Sequence, residues 1–131
     1  MIFIDASLYL SILRHNDSNH AKAVTWWKSF PDDVQKMTSQ AILGEVLTVG
    51  SLRYDRRLTI AFVEKIRAGK TTIMLETPPL VARGWEIFKN VSKKDVSWVD
   101  CYSCAIIQAY KIETVLTFDR DLQLLIKLPP T

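Results

Sequence analysis

The sequence opens on the stretch Met1-Ile2-Phe3-Ile4-Asp5-Ala6-Ser7, in which a short apolar run ends at an acid. Residues 6 to 14 then repeat apolar side chains at the spacing of an amphipathic helix. The pattern predicts a buried strand, an aspartate at its carboxyl end and a helix. A second stretch of this form, Leu116-Thr117-Phe118-Asp119-Arg120-Asp121-Leu122, predicts a strand over residues 114–118, then Asp119 and a helix over 121–127.

The segments between these two stretches alternate between helical and extended patterns. Strands and helices in alternation predict an α/β fold with a mainly parallel central sheet, flanked by helices on both faces because crossovers are right-handed. No linker, repeat or low-complexity segment interrupts residues 1–131, so we expect one domain. The patterns place helices at 20–30, 41–52, 56–68, 80–90 and 98–110, and strands at 34–37 and 71–75.

Composition excludes several classes of protein. Hydrophobic residues make up 48% of the 131 residues and charged residues 24%, as in ordinary folded domains. No apolar run approaches the roughly 18 residues of a membrane helix, and the amino terminus lacks the basic region of a signal peptide, so we expect a cytoplasmic protein. The four glycines form neither a phosphate-binding loop nor a dinucleotide fingerprint, which excludes the usual nucleotide-binding folds.

Four carboxylates stand out by their positions. The carboxyl ends of parallel strands lie along one edge of a sheet, so Asp5 and Asp119 are expected to face one crevice. Asp100 falls on the apolar stripe of the helix predicted over 98–110, and Glu45 borders that of the helix over 41–52. Buried acids either raise their pKa or bind a cation, so an inward-facing group of acids indicates a divalent metal site with oxygen ligands.

Each acid also has a structural interpretation. Asp5 and Asp119 are placed to cap the helices that follow them, and Asp100 stands three residues after Ser97, as in a capping box. Glu45 has two candidate ion-pair partners in the predicted helical hairpin, Arg53 and Arg56.

The order of the four acids, with Ser7 two residues after the first and Thr117 two residues before the last, resembles the PIN-domain ribonucleases. The likeness is greatest to the VapC-like toxins of prokaryotic type II toxin-antitoxin pairs and spans nearly the whole chain. It implies a PIN-like three-layer sandwich and a divalent-metal-dependent endoribonuclease that hydrolyses RNA phosphodiester bonds. The catalytic and metal-binding residues it implies are Asp5, Glu45, Asp100 and Asp119, holding Mg²⁺ or Mn²⁺, with Ser7, Thr117 and Asp121 in supporting positions. Asp121 is also available as the fourth acid, but the family pattern Thr-x-Asp favours Asp119.

The resemblance also implies partners: an RNA substrate, a cognate antitoxin protein whose C-terminal segment covers the catalytic groove, and a second copy of the chain in a homodimer. Net charge is +3, but setting the four acids aside leaves 17 basic residues against ten acids, a net +7 that suits RNA. Candidate phosphate contacts are Arg53, Arg56, Arg57, Lys93 and Lys94, and Trp26, Trp27, Trp85 and Trp98 are available for base stacking or for packing.

Two alternatives belong to other functional classes. A PIN-like module that binds RNA without cleaving it would keep the fold and lack turnover. Cys101-x-x-Cys104 at the start of a predicted helix is also the spacing of a redox pair, in which the helix terminus lowers the pKa of one thiol. A zinc site is disfavoured because His15 and His20 have no zinc-site spacing from the cysteines.

Overall fold

The computed structural model describes residues 1–127, and residues 128–131 of the predicted domain lie outside the described part. Four strands alternate with seven helices in these residues, which confirms the predicted α/β class. The strands are β1 (Ile2–Ile4), β2 (Lys36–Ser39), β3 (Thr72–Met74) and β4 (Thr114–Leu116). The helices are α1 (Ala6–Leu13), α2 (His20–Ser29), α3 (Gln40–Arg53), α4 (Arg56–Ala68), α5 (Pro78–Asn90), α6 (Trp98–Ala109) and α7 (Arg120–Ile126).

The sheet is parallel throughout, with strand order β3-β2-β1-β4. The chain moves from β1 through β2 to the edge strand β3, and then crosses back over the sheet to β4. Right-handed crossovers in these two directions put α1 to α4 on one face and α5 to α7 on the other. The helix contacts agree, since α1 packs on α2 and α3, α3 on α4, and α6 on both α5 and α7. The result is the predicted three-layer sandwich.

This topology creates a crevice at the carboxyl ends of β1 and β4. The connection that leaves β1 and the connection that enters β4 run on opposite faces of the sheet, which is the arrangement that opens a ligand-binding crevice in α/β proteins. Asp5 follows β1 directly, and its backbone N–H extends the pairing by donating to Leu116 O at 3.1 Å. Asp5 and the residues after β4 are thereby brought side by side.

The second strand differs from its predicted position. The apolar pattern predicts a strand over 34–37, but β2 starts at Lys36 and ends at Ser39 because Val34 closes a turn with Pro31. Two buried polar residues extend the strand because each finds a partner. Thr38 Oγ1 donates to Ile4 O at 3.0 Å, and Ser39 Oγ accepts from Ile42 N at 3.1 Å and caps α3.

The fifth helix also starts earlier than predicted. The pair Pro78-Pro79 predicts the end of a strand with a helix from residue 80, but both prolines lie in the first turn of α5. Proline fits there because the first backbone N–H groups of a helix have no intrahelical acceptor. Within residues 1–127, no helix has the length and hydropathy needed to cross a membrane.

Candidate active site

Asp5 is buried at the carboxyl end of β1, with 3% of its surface exposed. Its side chain does not cap α1, so the capping interpretation is wrong for this residue. Its Oδ2 atom instead accepts two hydroxyl hydrogen bonds, from Ser7 Oγ at 2.9 Å and from Thr117 Oγ1 at 2.7 Å. Burial raises the pKa of Asp5 despite these bonds, and the charge of Asp119 adds to the rise. Asp5 is a carboxylate for which a bound cation would be favourable.

The Ser7 and Thr117 hydroxyls connect the two strand ends. Each hydroxyl has one proton, with which it donates a hydrogen bond to Asp5, and each hydroxyl oxygen accepts a hydrogen bond from a backbone N–H. Phe118 N donates to Ser7 Oγ and Asp119 N to Thr117 Oγ1, both at 2.9 Å. The segment after β4 is therefore fixed relative to the carboxylate that follows β1.

Asp119 and Asp100 lie together at the starts of two helices. Asp119 Oδ1 accepts from Asp121 N at 2.8 Å and caps α7, so the capping interpretation is correct here but involves only one carboxylate oxygen. Asp100 is buried in the first turn of α6, where Ser97 Oγ accepts from Asp100 N at 3.1 Å. Burial, followed by the charge and hydrogen bond of Asp119 and the charge of Asp5, raises the pKa of Asp100 to about 7.

Glu45, the remaining acid of the predicted set, lies in α3 and outside the group of aspartate oxygens that come within 4.8 Å of one another. It is half-buried, and burial followed by the charges of Asp5 and Asp119 raises its pKa. The alternative of an ion pair with Arg53 or Arg56 is not formed. The ion pairs within residues 1–127 join Lys89 to Glu86 and Lys93 to Asp95 and Asp121.

A fifth acid, Asp121, lies beside Asp100 and Asp119. One carboxylate oxygen from each of Asp100, Asp119 and Asp121 falls within 4.8 Å of the other two. The signal in the sequence is the spacing of two residues, since the cap residue and the second residue of a helix lie side by side. Asp121 differs from the other acids because Lys93 Nζ approaches its Oδ1 to 2.6 Å.

The acids fit a divalent metal ion by their chemistry. Carboxylate oxygens are the ligands that Mg²⁺ and Mn²⁺ prefer, and the oxygens of Asp100 and Asp119 lie within 4.8 Å of each other, close enough to share one ion. The raised pKa values of Asp5, Glu45 and Asp100 show that the folded protein holds these charges at a cost. A bound cation would remove that cost.

The two cysteines do not fit a redox role. Cys101 and Cys104 are free thiols buried in α6, and burial raises the pKa of each to about 11. A redox pair needs a lowered thiol pKa and access to solvent. Within residues 1–127, the only group of three acid, histidine or cysteine ligand atoms is the aspartate group above, so no zinc site forms around the thiols.

The tryptophans mostly pack within the protein. Trp26 stacks on Phe118 with ring centroids 4.9 Å apart, which supports the segment carrying Asp119. Trp27 packs on Tyr9, and Trp98 stacks on Tyr102. Trp85, at 51% exposed, is the tryptophan most available to a partner.

Comparison with known proteins identifies the family of this chain. The sequence matches the PIN domain family over residues 2–127, so the chain belongs to the PIN domain family. It is 32% identical over 123 residues to VapC20 of Mycobacterium tuberculosis, a 23S rRNA-specific endonuclease, with 92% of this chain and 91% of the relative covered. Within its family, the chain is an endonuclease of the VapC type, and the predicted resemblance is confirmed.

Solved structures share the fold. The crystal structure of M. tuberculosis VapC20, a toxin that cleaves the sarcin-ricin loop, superposes with a TM-score of 0.88 at 24% identity and covers 100% of this chain and 98% of its own. FitAcB from Neisseria gonorrhoeae gives 0.69 at 18% identity, with coverages of 98% and 94%. VapBC2 from Rickettsia felis, bound to a DNA fragment from its promoter, gives 0.57 at 10% identity, with coverages of 91% and 100%.

Proposed function

We propose that this chain is a divalent-metal-dependent endoribonuclease that hydrolyses RNA phosphodiester bonds. The observation that carries the proposal is the meeting of acids from separate elements in one crevice, three of them with raised pKa values and without a cationic partner within residues 1–127. The proposed catalytic and metal-binding residues are Asp5, Glu45, Asp100 and Asp119, with Mg²⁺ or Mn²⁺ as the ion.

A bound divalent ion supplies two things that RNA hydrolysis needs, neutralisation of phosphate charge and water that is nucleophilic near neutral pH. The protein's contribution is to fix the positions of the carboxylate oxygens. The Ser7 and Thr117 hydroxyls fix Asp5, and the cap of α7 fixes Asp119. Asp100 has a pKa raised to about 7, so a cation held by Asp100 would displace its proton and favour the carboxylate form. The expected products carry a 5′-phosphate and a 3′-hydroxyl.

RNA as the substrate is supported by the relative, since VapC20 is a 23S rRNA-specific endonuclease. The charge distribution supports it independently, because the acids gather in the crevice while Arg53, Arg56, Arg57 and Lys94 are exposed. Exposed cations of this kind supply the salt-dependent part of RNA affinity.

The biological role that we propose is the toxin of a toxin-antitoxin pair, acting in the cytoplasm as a homodimer. Its support is the likeness to VapC20, whose structure is that of a toxin. We expect the chain, co-expressed with a short DNA-binding protein from the neighbouring reading frame, to purify as a complex that does not cleave RNA. Light scattering on the purified chain would give the mass of a dimer. A monomer, or a neighbour that leaves cleavage unchanged, would contradict these assignments.

The central experiment is RNA cleavage by the purified chain with Mn²⁺ and with EDTA. We expect Asp5→Asn and Asp100→Asn to abolish cleavage while the circular dichroism spectrum stays native, because each removes a proposed ligand charge. Asp32→Asn, at an exposed acid outside the site, is the matched control and should keep full activity.

The other outcomes identify the alternatives. Full activity in both site variants, or cleavage undiminished by EDTA, contradicts the proposal. RNA binding without any cleavage by the wild type in Mn²⁺ indicates the non-catalytic module. The redox alternative requires that Cys101→Ser combined with Cys104→Ser remove activity, whereas the nuclease keeps it.

A further inference from the structure

The ion pair between Lys93 and Asp121 lies at the border of the acid group. Lys93 Nζ donates to Asp121 Oδ1 at 2.6 Å and lies 3.8 Å from Asp95 Oδ1. The Asp121 side chain is only 17% exposed, whereas that of Lys93 is 54% exposed. Lys93 is therefore at the surface, whereas its partner Asp121 belongs to the acid group of the site.

The loop between α5 and α6 holds Lys93 in this position. Val96 N donates to Lys93 O at 3.4 Å, which closes a turn, and Val96 itself is buried against the core with 8% exposed. Lys93 and Asp121 also line one side of a cavity of about 440 Å³ that α5, α6 and α7 enclose. Lys93 thus extends from an anchored turn and is not carried by a free loop.

Asp121 has the position of a metal ligand but already has a cationic partner. Its carboxylate oxygen lies within 4.8 Å of ligand oxygens from Asp100 and Asp119. Among residues 1–127, an ion pair engages Asp121 but none engages Asp5, Glu45, Asp100 or Asp119. A carboxylate already neutralised by an ammonium group gains less from a metal ion than one without such a partner.

We propose that Lys93 withholds Asp121 from the metal and so limits the strength with which the site binds a divalent ion. The inference rests on the proposed metal-dependent function and deepens it, because it assigns the affinity of the site to a residue outside the ligand set. Without Lys93, Asp121 joins Asp100 and Asp119 as a further anionic oxygen ligand. More ligand charge at an oxygen site means tighter binding of a hard cation.

The test is calorimetric titration of Mn²⁺ into the full, metal-free chain. This experiment measures metal affinity directly and does not require RNA cleavage. We expect Lys93→Gln to bind Mn²⁺ about tenfold more tightly than the wild type, as an added carboxylate ligand predicts. Asp121→Asn should stay within about twofold of the wild type, since Asp121 is not a ligand while Lys93 holds it. The double variant should match Asp121→Asn. Lys94→Gln removes the same charge from the neighbouring exposed position and should bind as the wild type does.

The double variant separates the two ways in which Lys93 can act, because a double-mutant cycle isolates the pairwise effect. Tightening that persists without Asp121 would show that Lys93 acts by its general field, which overturns the proposal. Unchanged affinity in Lys93→Gln, or a loss of more than about tenfold in Asp121→Asn, overturns it as well. Lys93→Arg retains the ion pair and should keep wild-type affinity with a native thermal midpoint, which guards against a folding defect.

The metal titration also distinguishes this inference from the function on which it rests. Wild-type binding with no change in Lys93→Gln refutes the role of Lys93 alone. Absence of Mn²⁺ binding in both proteins refutes the metal-dependent function together with it.

Discussion

A single carboxylate oxygen, Asp5 Oδ2, accepts hydrogen bonds from both the Ser7 and the Thr117 hydroxyls. Burying a carboxylate costs several kcal/mol unless hydrogen bonds replace its lost water, and two hydroxyl donors meet part of that need. The pKa of Asp5 is still raised, so the compensation is incomplete. The two hydroxyls reduce the free-energy cost of burying the Asp5 carboxylate in the metal-free protein and fix its orientation.

Thr117→Val tests that role with almost no change in shape. Valine leaves Asp5 Oδ2 with one hydroxyl donor, Ser7, and removes the acceptor of Asp119 N, so both carboxylates lose orientation. We expect Mn²⁺ affinity and RNA cleavage to fall about 10- to 100-fold, the range for residues that orient metal ligands. Calorimetry and a cleavage assay measure the two effects.

Thr117→Ser is the matched control because it restores the hydroxyl and removes only a methyl group. It should recover most of the lost affinity. Equal losses in the valine and serine variants would show that packing of the buried Thr117 side chain matters and the hydroxyl does not.

At the level of secondary structure, α3 carries Glu45 to the crevice and contains two glycines in opposite surroundings. A methyl group at Gly44 would have no heavy atom within 4 Å. At Gly50 it would lie 2.6 Å from Oγ1 and 2.8 Å from Cγ2 of Thr59, whose buried side chain is held by a hydrogen bond to Asp55 O. Gly50 is therefore required for α3 and α4 to pack closely, and Gly44 is not.

The two alanine variants should change stability in opposite directions. Gly44→Ala gains helix propensity and should stabilise the protein by about 0.5–1 kcal/mol. Gly50→Ala must displace Thr59 and should destabilise it by about 1–3 kcal/mol. Urea unfolding of both variants measures the difference. Equal shifts in the same direction would contradict the packing of α3 on α4 described above.

The same elements show what local sequence reveals. Strand β1, the acids and the helical hairpin are predicted because apolar spacing and chain order encode them. The start of β2 and the first turn of α5 are missed because Thr38, Ser39 and the two prolines break the apolar pattern, while tertiary hydrogen bonds and the helix terminus accept them. The Lys93–Asp121 pair joins residues 28 positions apart, so no local sequence pattern predicts it.

For the molecule as a whole, the sheet topology brings acids that follow β1 and β4 close to acids in α3 and α6. Asp5, Glu45 and Asp100 come from distant parts of the sequence, and each has a raised pKa in which neighbouring acids take part. Burial is the larger cause of each shift, and folding without a metal also brings like charges together. The stability of the metal-free protein should report both effects.

The sign of the effect follows from proton linkage. The pKa of Asp100 is about 7 in the folded protein and near 3.8 when unfolded, so the folded state holds more protons between those values. Stability is then greatest at low pH within this window and falls as pH rises towards 7. We expect the thermal midpoint of the metal-free protein to be at least about 3 °C lower at pH 7.5 than at pH 5.5.

Substitution and metal should each reduce that slope. Asp100→Asn has no proton to lose at position 100, so its two midpoints should differ less than those of the wild type, with Asp5 and Glu45 supplying the remaining difference. Asp32→Asn should behave as the wild type. Mn²⁺ should raise the midpoint more at pH 7.5 than at pH 5.5, because its ligands bind only when deprotonated. A metal-free midpoint that rises with pH would mean that burial and the neighbouring acids do not raise these pKa values, and the charge basis of the proposed metal site would be lost.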